Sequence, residues 1–312
     1  MINRPDYIRE ITPFIDKPLV KILSGVRRCG KSTIFEMIHD ELIRLGVPAD
    51  SIITKRYTEM DIPEDLSAKQ MYDELIKAMG DRPRCYLLLD EIQEIDGWEK
   101  AVNSLLESGR ADIYVTGSNS KLMSSEISTY LTGRYVQIPV FTLSFREYLD
   151  FKAGSKLSQN ELLDEYIRFG GFPIIALSDF DEQSAYQIVN GIYHTVISRD
   201  IVKRHRINRQ DLFDRVVKYI IENMGKTFSA NSISNFLKSE KRKVSVESIY
   251  NYIRWLEQAF IIYPCERYDL QGKSVLKTQE KYYLSDVSLK YALLGYNRKM
   301  LDGATENIVF LE

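Results

Sequence analysis

The chain has 312 residues, 44% of them apolar and 28% charged, with a formal net charge of −2. That length suits two or three domains with ordinary hydrophobic cores and excludes a disordered chain. Three scattered cysteines, Cys29, Cys85 and Cys265, exclude a disulfide framework, and with only His39, His194 and His205 beside them they leave no zinc site. Residues 1–16 are charged and lack the apolar core of a signal peptide, and no later stretch offers some eighteen uninterrupted apolar residues, so the expectation is a soluble, cytoplasmic protein with no membrane span.

Leu19 to Ser24 reads as a short buried strand. It is followed by Gly25-Val26-Arg27-Arg28-Cys29-Gly30-Lys31-Ser32, and then by a helix from Lys31 to Leu45 closed by Gly46. Strand, glycine loop and helix in that order are the context that G-x-x-x-x-G-K-[ST] requires, and they argue against a glycine-rich turn without chemistry. Gly25 and Gly30 are expected to take positive φ and bring backbone N–H groups close to an anion. Lys31 supplies a mobile cation for the terminal phosphates, and Ser32 places a hydroxyl for Mg²⁺. Thr33 is the next hydroxyl along and packs. Cys29 is a small filler within the loop.

A strand from Ile52 to Tyr57 and a helix from Leu66 to Met79 come next. Cys85 to Leu89 is an apolar run suited to a strand buried on both faces, and Asp90-Glu91 would emerge at its C-terminal end, the edge where open α/β sheets bind ligands. Asp90 is then the anchor for Mg²⁺, and Glu91 the group that accepts a proton from attacking water. Alone, these would read as solvated acids; the phosphate loop gives them a role. An amphipathic helix carrying Trp98, Val102, Leu105 and Leu106 precedes a strand from Asp112 to Val115 and the polar run Thr116-Gly117-Ser118-Asn119-Ser120. Asn119 and Ser118 are candidates to touch the γ-phosphate or the water, an ordinary turn being the other reading. Thr132-Gly133-Arg134 leads into a strand from Tyr135 to Val140. Arg134 is a candidate for transition-state charge stabilisation, in cis or from a neighbouring subunit of a homo-oligomer, or else a solvated turn residue.

Residues 142–206 are helical by pattern and read as a lid or connector. From Val196 to Tyr283 there are seventeen Lys and Arg against ten Asp and Glu, a surplus of seven in a chain whose net charge is −2. Helices over Leu212–Met224, Ser229–Lys238 and Ser245–Phe260 precede strands over Ile261–Tyr268 and Ser274–Leu284, with Gln271-Gly272 as the hairpin signal. Three helices and a hairpin make a winged helix over 207–286. Its third helix presents Ser245, Glu247, Ser248, Asn251 and Arg254. Lys241-Arg242-Lys243 precede that helix, and Lys273 and Lys277 lie in the wing. The lysines suit phosphates of duplex DNA, and Asn251 or Arg254 suit base edges. A winged helix that contacts protein instead is the alternative.

Taken together, Gly25-Val-Arg-Arg-Cys-Gly-Lys-Ser32, Leu89-Asp-Glu-Ile-Gln93, Thr116-Gly-Ser-Asn-Ser120, Leu131-Thr-Gly-Arg134, Leu143-Ser-Phe-Arg-Glu-Tyr148, Gly170-Gly-Phe-Pro173 and Arg199-Asp200 resemble a prokaryotic family of AAA-type P-loop ATPases. That family joins its AAA core to a winged helix and a restriction-endonuclease-like C-terminal domain. The resemblance implies an α/β P-loop NTPase fold over 1–141, with a parallel sheet flanked by helices, and it strengthens Glu91 and Arg134 as catalytic groups. It also implies a structural role for Gly170 to Pro173 and Arg199-Asp200 at the domain junction. Residues 287–312, with Glu306-Asn-Ile-Val-Phe-Leu-Glu312, resemble only the start of the nuclease-like domain, so DNA cleavage by this chain is not supported. The expected activity is ATP hydrolysis with Mg²⁺ that drives or switches engagement of DNA or a protein. A nucleotide-gated regulator with little hydrolysis and a P-loop kinase of a small molecule are the alternatives.

Overall fold

The computed structural model describes residues 3–58, 62–63, 65–118, 130–265, 280–297 and 303–312. Asn119, Ser120, Gln271-Gly272, Lys273 and Lys277 lie outside the described residues. The chain divides into two compact units. One comprises Met1–Gly25 and Gly30–Val140, the other Val26–Cys29 and Phe141–Glu312.

The first unit is built on five parallel strands, β1 (Val20–Ser24), β2 (Ile52–Arg56), β3 (Cys85–Asp90), β4 (Ala111–Gly117) and β5 (Tyr135–Pro139), in the order β2-β3-β4-β1-β5. Every residue of β1, β3 and β4 is buried, as apolar runs of this kind require when helices cover both faces of a parallel sheet. The register pairs Ser24 with Gly117 and Leu89 with Val115, so the C-terminal ends of the three central strands lie side by side. Helices α1 (Pro5–Ile11), α2 (Lys31–Arg44), α3 (Ala68–Met79) and α4 (Trp98–Glu107) complete the layers. Trp98, Val102 and Leu105 from α4 and Met71, Leu75 and Met79 from α3 share one core with Leu87, Leu89 and Val115. The helix expected from Leu66 starts at Ala68, because Ser67 and Gln70 form a reciprocal capping box there.

The second unit opens with α5 (Phe145–Phe151), α6 (Gln159–Phe169), the single turn α7 (Pro173–Ala176) and α8 (Glu182–Thr195). α8 continues through a π-helical turn, Val196–Val202, into a last turn, Lys203–His205. Next come α9 (Gln210–Glu222), β6 (Thr227–Phe228), α10 (Ala230–Ser239), α11 (Val246–Gln258), β7 (Ile262–Cys265) and β8 (Glu280–Leu284). The three strands form an antiparallel sheet in the order β6-β8-β7. The two-residue β6 is too short to leave a periodic signal and was not expected. Ser229 and Ser245 cap α10 and α11 through their hydroxyls.

At the C-terminal end, α12 (Ser288–Leu294) packs on α8, and α13 (Ala304–Leu311) packs on α6 and β8. The fully buried Asn307 donates to the Leu284 carbonyl and accepts from the Leu284 N–H, which extends the edge of β8 with a side chain. Gly170 to Pro173 gains a physical basis here. The buried Asp286 carboxylate accepts from Gly171 N (2.8 Å) and Ser288 N (2.9 Å), and burial pushes its carboxyl pKa up against those bonds. Gly170 has φ 73°, and a Cβ there would stand 1.8 Å from Asp286 Oδ1. Gly170→Ala should therefore destabilise the second unit by about 3 kcal/mol through a left-handed alanine and a displaced buried carboxylate. Urea unfolding followed by circular dichroism checks this, and an unchanged midpoint would show that Asp286 moves at little cost.

Candidate nucleotide site

The loop between β1 and α2 takes its left-handed residues at Arg28 (φ 66°) and Gly30 (φ 105°), not at Gly25 as expected. The turn is thus made one residue before the helix, at Gly30, and two residues earlier, at Arg28. Val26 and Cys29 are buried, which fits Cys29 as a filler; Thr33 is half-buried in the first turn of α2. Lys31 is buried at the helix start, and its Nζ donates to the Gly25 carbonyl at 2.9 Å, folding the side chain back across the loop. The N-terminus of α2 lacks a side-chain cap, so its first N–H groups face the loop with the positive end of the helix dipole behind them.

Arg27 belongs, with the rest of Val26–Cys29, to the second unit. Its guanidinium makes a two-pronged pair with Asp200 of the π-helical turn, at 2.7 and 2.9 Å, and Asp200 is buried. Planar Arg–carboxylate pairs of this kind fix geometry as well as charge. Sequence reasoning left Arg199-Asp200 without chemistry; a partner 173 positions away has no local signature.

At the ends of β3 and β4 the polar groups meet. Asp90 Oδ2 accepts from Ser32 Oγ at 2.8 Å and from Arg56 Nε at 3.0 Å, and its other oxygen accepts from the Thr116 hydroxyl. Ser32 and Asp90 thus present hard oxygen donors to one point, a donor set that suits Mg²⁺. Glu91 has φ 55°, in the left-handed region, with its N–H donating to Thr116 Oγ1 at 3.0 Å. The Glu91 carboxylate accepts from Ser118 Oγ at 3.1 Å and from the Gln93 amide. A cleft of about 380 Å³ opens beside these groups, lined by Ser32, Glu36, His39, Thr54, Arg56 and Asp90. Arg56, Thr116 and Gln93 were not singled out from sequence. Arg56 was findable, since it ends β2 in register with Asp90.

Arg134 lies elsewhere. Its carbonyl accepts from Val20 N, at the start of β1, while the phosphate loop follows the end of that strand. Five residues of strand put the two roughly 17 Å apart. The guanidinium instead donates to Asn103 Oδ1 (2.7 Å) and Glu107 Oε1 (3.1 Å) on α4. Sequence had left a cis and a trans role open; a cis role does not survive this placement.

In the second unit, Lys241 and Lys243 are exposed in the turn before α11, whereas Arg242 is paired with Asp211 at 2.8 Å. Asn251 accepts from Arg254, so the two candidate base-reading side chains hold each other, and Glu247 is exposed.

Residues 17–149 match the family described as AAA domain, and residues 160–299 match a domain of unknown function (DUF8612). An uncharacterized protein of Haemophilus influenzae is 34% identical over 316 residues, covering all of this chain and 78% of that protein. An uncharacterized protein of Methanocaldococcus jannaschii is 33% identical over 310 residues, covering 94% of this chain and 66% of its own length. Among solved structures, the Walker-type ATPase of Pyrococcus abyssi is similar in fold, with a TM-score of 0.65 at 15% identity over 94% of this chain and 96% of that one. No helix among the described residues is long and apolar enough to cross a membrane. A relative 34% identical along the whole chain shows that the protein belongs to the family of that Haemophilus protein, and residues 17–149 carry an AAA domain on a parallel P-loop NTPase sheet.

Proposed function

We propose that the protein is a Mg²⁺-dependent ATPase whose hydrolysis drives or switches engagement of duplex DNA. The observation that carries this is the convergence of Lys31, Ser32, Asp90, Thr116 and Glu91 at the C-terminal edge of β1, β3 and β4. Lys31 and the N–H groups of the loop and of α2 would hold the phosphates of ATP, with Gly25 to Thr33 as the binding segment. Ser32 and Asp90 would hold Mg²⁺, which when bound supplies charge neutralisation between the terminal phosphates. Glu91 would take the proton of the attacking water, and Ser118 and Gln93 position its carboxylate. Asn119, beyond the described residues, remains a candidate for orienting that water. Residues 1–141 serve as the ATPase core, 142–206 as the connector and 207–286 as a winged helix, a reading supported by the order of α9, α10, α11 and the small antiparallel sheet.

Lys31→Ala should nearly abolish ATP binding in a fluorescent-nucleotide titration, because it removes the mobile cation of the loop. Glu91→Gln should keep binding while turnover falls on the order of a hundredfold. Equal turnover would favour the regulator with little hydrolysis, and phosphate release that appears only with an added acceptor would favour the kinase.

Asp200 anchors the loop through Arg27, so Asp200→Asn, which keeps size but loses the charge, should weaken nucleotide binding several-fold with an unchanged circular dichroism spectrum. Affinity equal to the parent's would show that the loop holds its shape unaided.

Arg134 is assigned to a neighbouring copy's site. Specific activity should then rise with protein concentration, and mixing Arg134→Ala with Lys31→Ala protein should restore some hydrolysis at mixed interfaces. Concentration-independent turnover without rescue would remove Arg134 from the chemistry.

A further inference from the structure

The run Lys203-Arg204-His205-Arg206-Ile207-Asn208-Arg209 carries four Lys and Arg and no acid, and nucleotide chemistry does not account for it. Cations in the last turn of a helix gain from the helix dipole, which explains Lys203 to His205. That explanation stops at Arg206, where the left-handed backbone (φ 49°) ends the helix and carries Arg206 and Arg209 beyond it. Lys203, Arg206 and Arg209 are exposed, and no ion pair holds them among the described residues.

The run is not a loose loop. The His205 ring lies flat on the Trp255 indole, with centroids 4.3 Å apart and planes 11° from parallel. This stack fixes the run against the C-terminal half of α11, where Arg254 is exposed. Burial, Arg204 and Arg254 all push the His205 pKa down, which places both guanidinium groups near the stack. At the opposite end of α11, Lys241 and Lys243 are exposed in the preceding turn.

We propose that residues 203–209 together with Arg254 form a second phosphate-contact surface for duplex DNA, so that α11 is bracketed by cations at both ends. The inference rests on the duplex-DNA reading given above. A helix of 13 residues is about 20 Å long, and a major groove is about 12 Å wide with phosphates along both borders. A helix longer than the groove is wide can therefore set one cation cluster beside each of its bordering strands. The exposed Glu247 stands in the first turn of α11, beside the lysine cluster, and offsets part of its charge. Arginine forks match phosphate oxygens, and the His205–Trp255 stack ties the backbone that carries them to α11.

The test uses the full chain and a labelled 20-base-pair duplex, with anisotropy measured across a range of KCl concentrations. Arg206→Ala/Arg209→Ala should flatten the slope of log K against log salt by about 1.8, two contacts at about 0.9 each. Lys241→Ala/Lys243→Ala should flatten it by a similar amount, and the quadruple variant by about the sum. In a Trp98→Phe background, Trp255 emission should change on duplex addition. If the arginine pair keeps the parental slope while the lysine pair loses it, the proposal is overturned and DNA binding stands. If the parent does not bind duplex, both fall together. Retained nucleotide affinity and circular dichroism in each variant separate a lost contact from a lost fold.

Discussion

The register of β1 on β4 is the constraint on which the nucleotide site depends. Lys21 of β1 and Asp112 of β4 form a fully buried ion pair; the Tyr114 hydroxyl also donates to Asp112, and burial pushes the Lys21 pKa down against the pull of its partner. A slip of one residue would turn every side chain of the strand to the opposite face and leave both charges buried and unpaired, which costs several kcal/mol. The pair therefore selects one alignment. In that alignment Ser24 stands beside Gly117, and β4 in turn holds β3 with Leu89 beside Val115. Only then do Thr116, Asp90 and Ser32 fall within hydrogen-bonding distance.

At the functional edge, local backbone preference gives way to chemistry. Arg28 and Glu91 both adopt left-handed conformations that cost a residue with a Cβ roughly 1–2 kcal/mol. At Glu91 the strained turn follows β3 at once, and the Thr116 hydroxyl holds it by accepting from the Glu91 N–H. The same hydroxyl donates to Asp90, so one side chain fixes both carboxylates relative to each other. Strain of this kind persists where surrounding bonds over-determine the conformation, and it concentrates at sites of function.

The central strands were legible because a strand buried on both faces leaves an unbroken apolar run, and the phosphate loop was legible because its glycine, lysine and serine spacing follows from anion binding. Helix starts at Ser229 and Ser245 were readable from their capping hydroxyls. What escaped are features that depend on distant partners. Arg27 finds Asp200, and Gly170 makes room for Asp286, across separations of more than a hundred residues. Arg134 carried the right residue type, but only sheet polarity shows that it sits at the opposite edge from the loop. The apolar pattern of the C-terminal segment is the same whether it opens a new core or joins an existing one, and Ile308 and Asn307 join that of the second unit.

The helix beginning at Glu182 gives the second unit a physical link between two anion-directed features. Asp200 holds Arg27 of the phosphate loop, and one helical turn later His205 stacks on Trp255 of α11, close enough to Arg254 to feel its charge. Between them the backbone is helical without interruption, with π-type bonding over Val196–Val202, a geometry that recurs at functional positions because it leaves the helix able to shift by one bond. A guanidinium serves a carboxylate or a phosphate equally well by geometry. An exchange of partner for Arg27, from Asp200 to a bound anion, would therefore require two positions of this helix, and its cost would equal the difference in free energy between those two partners.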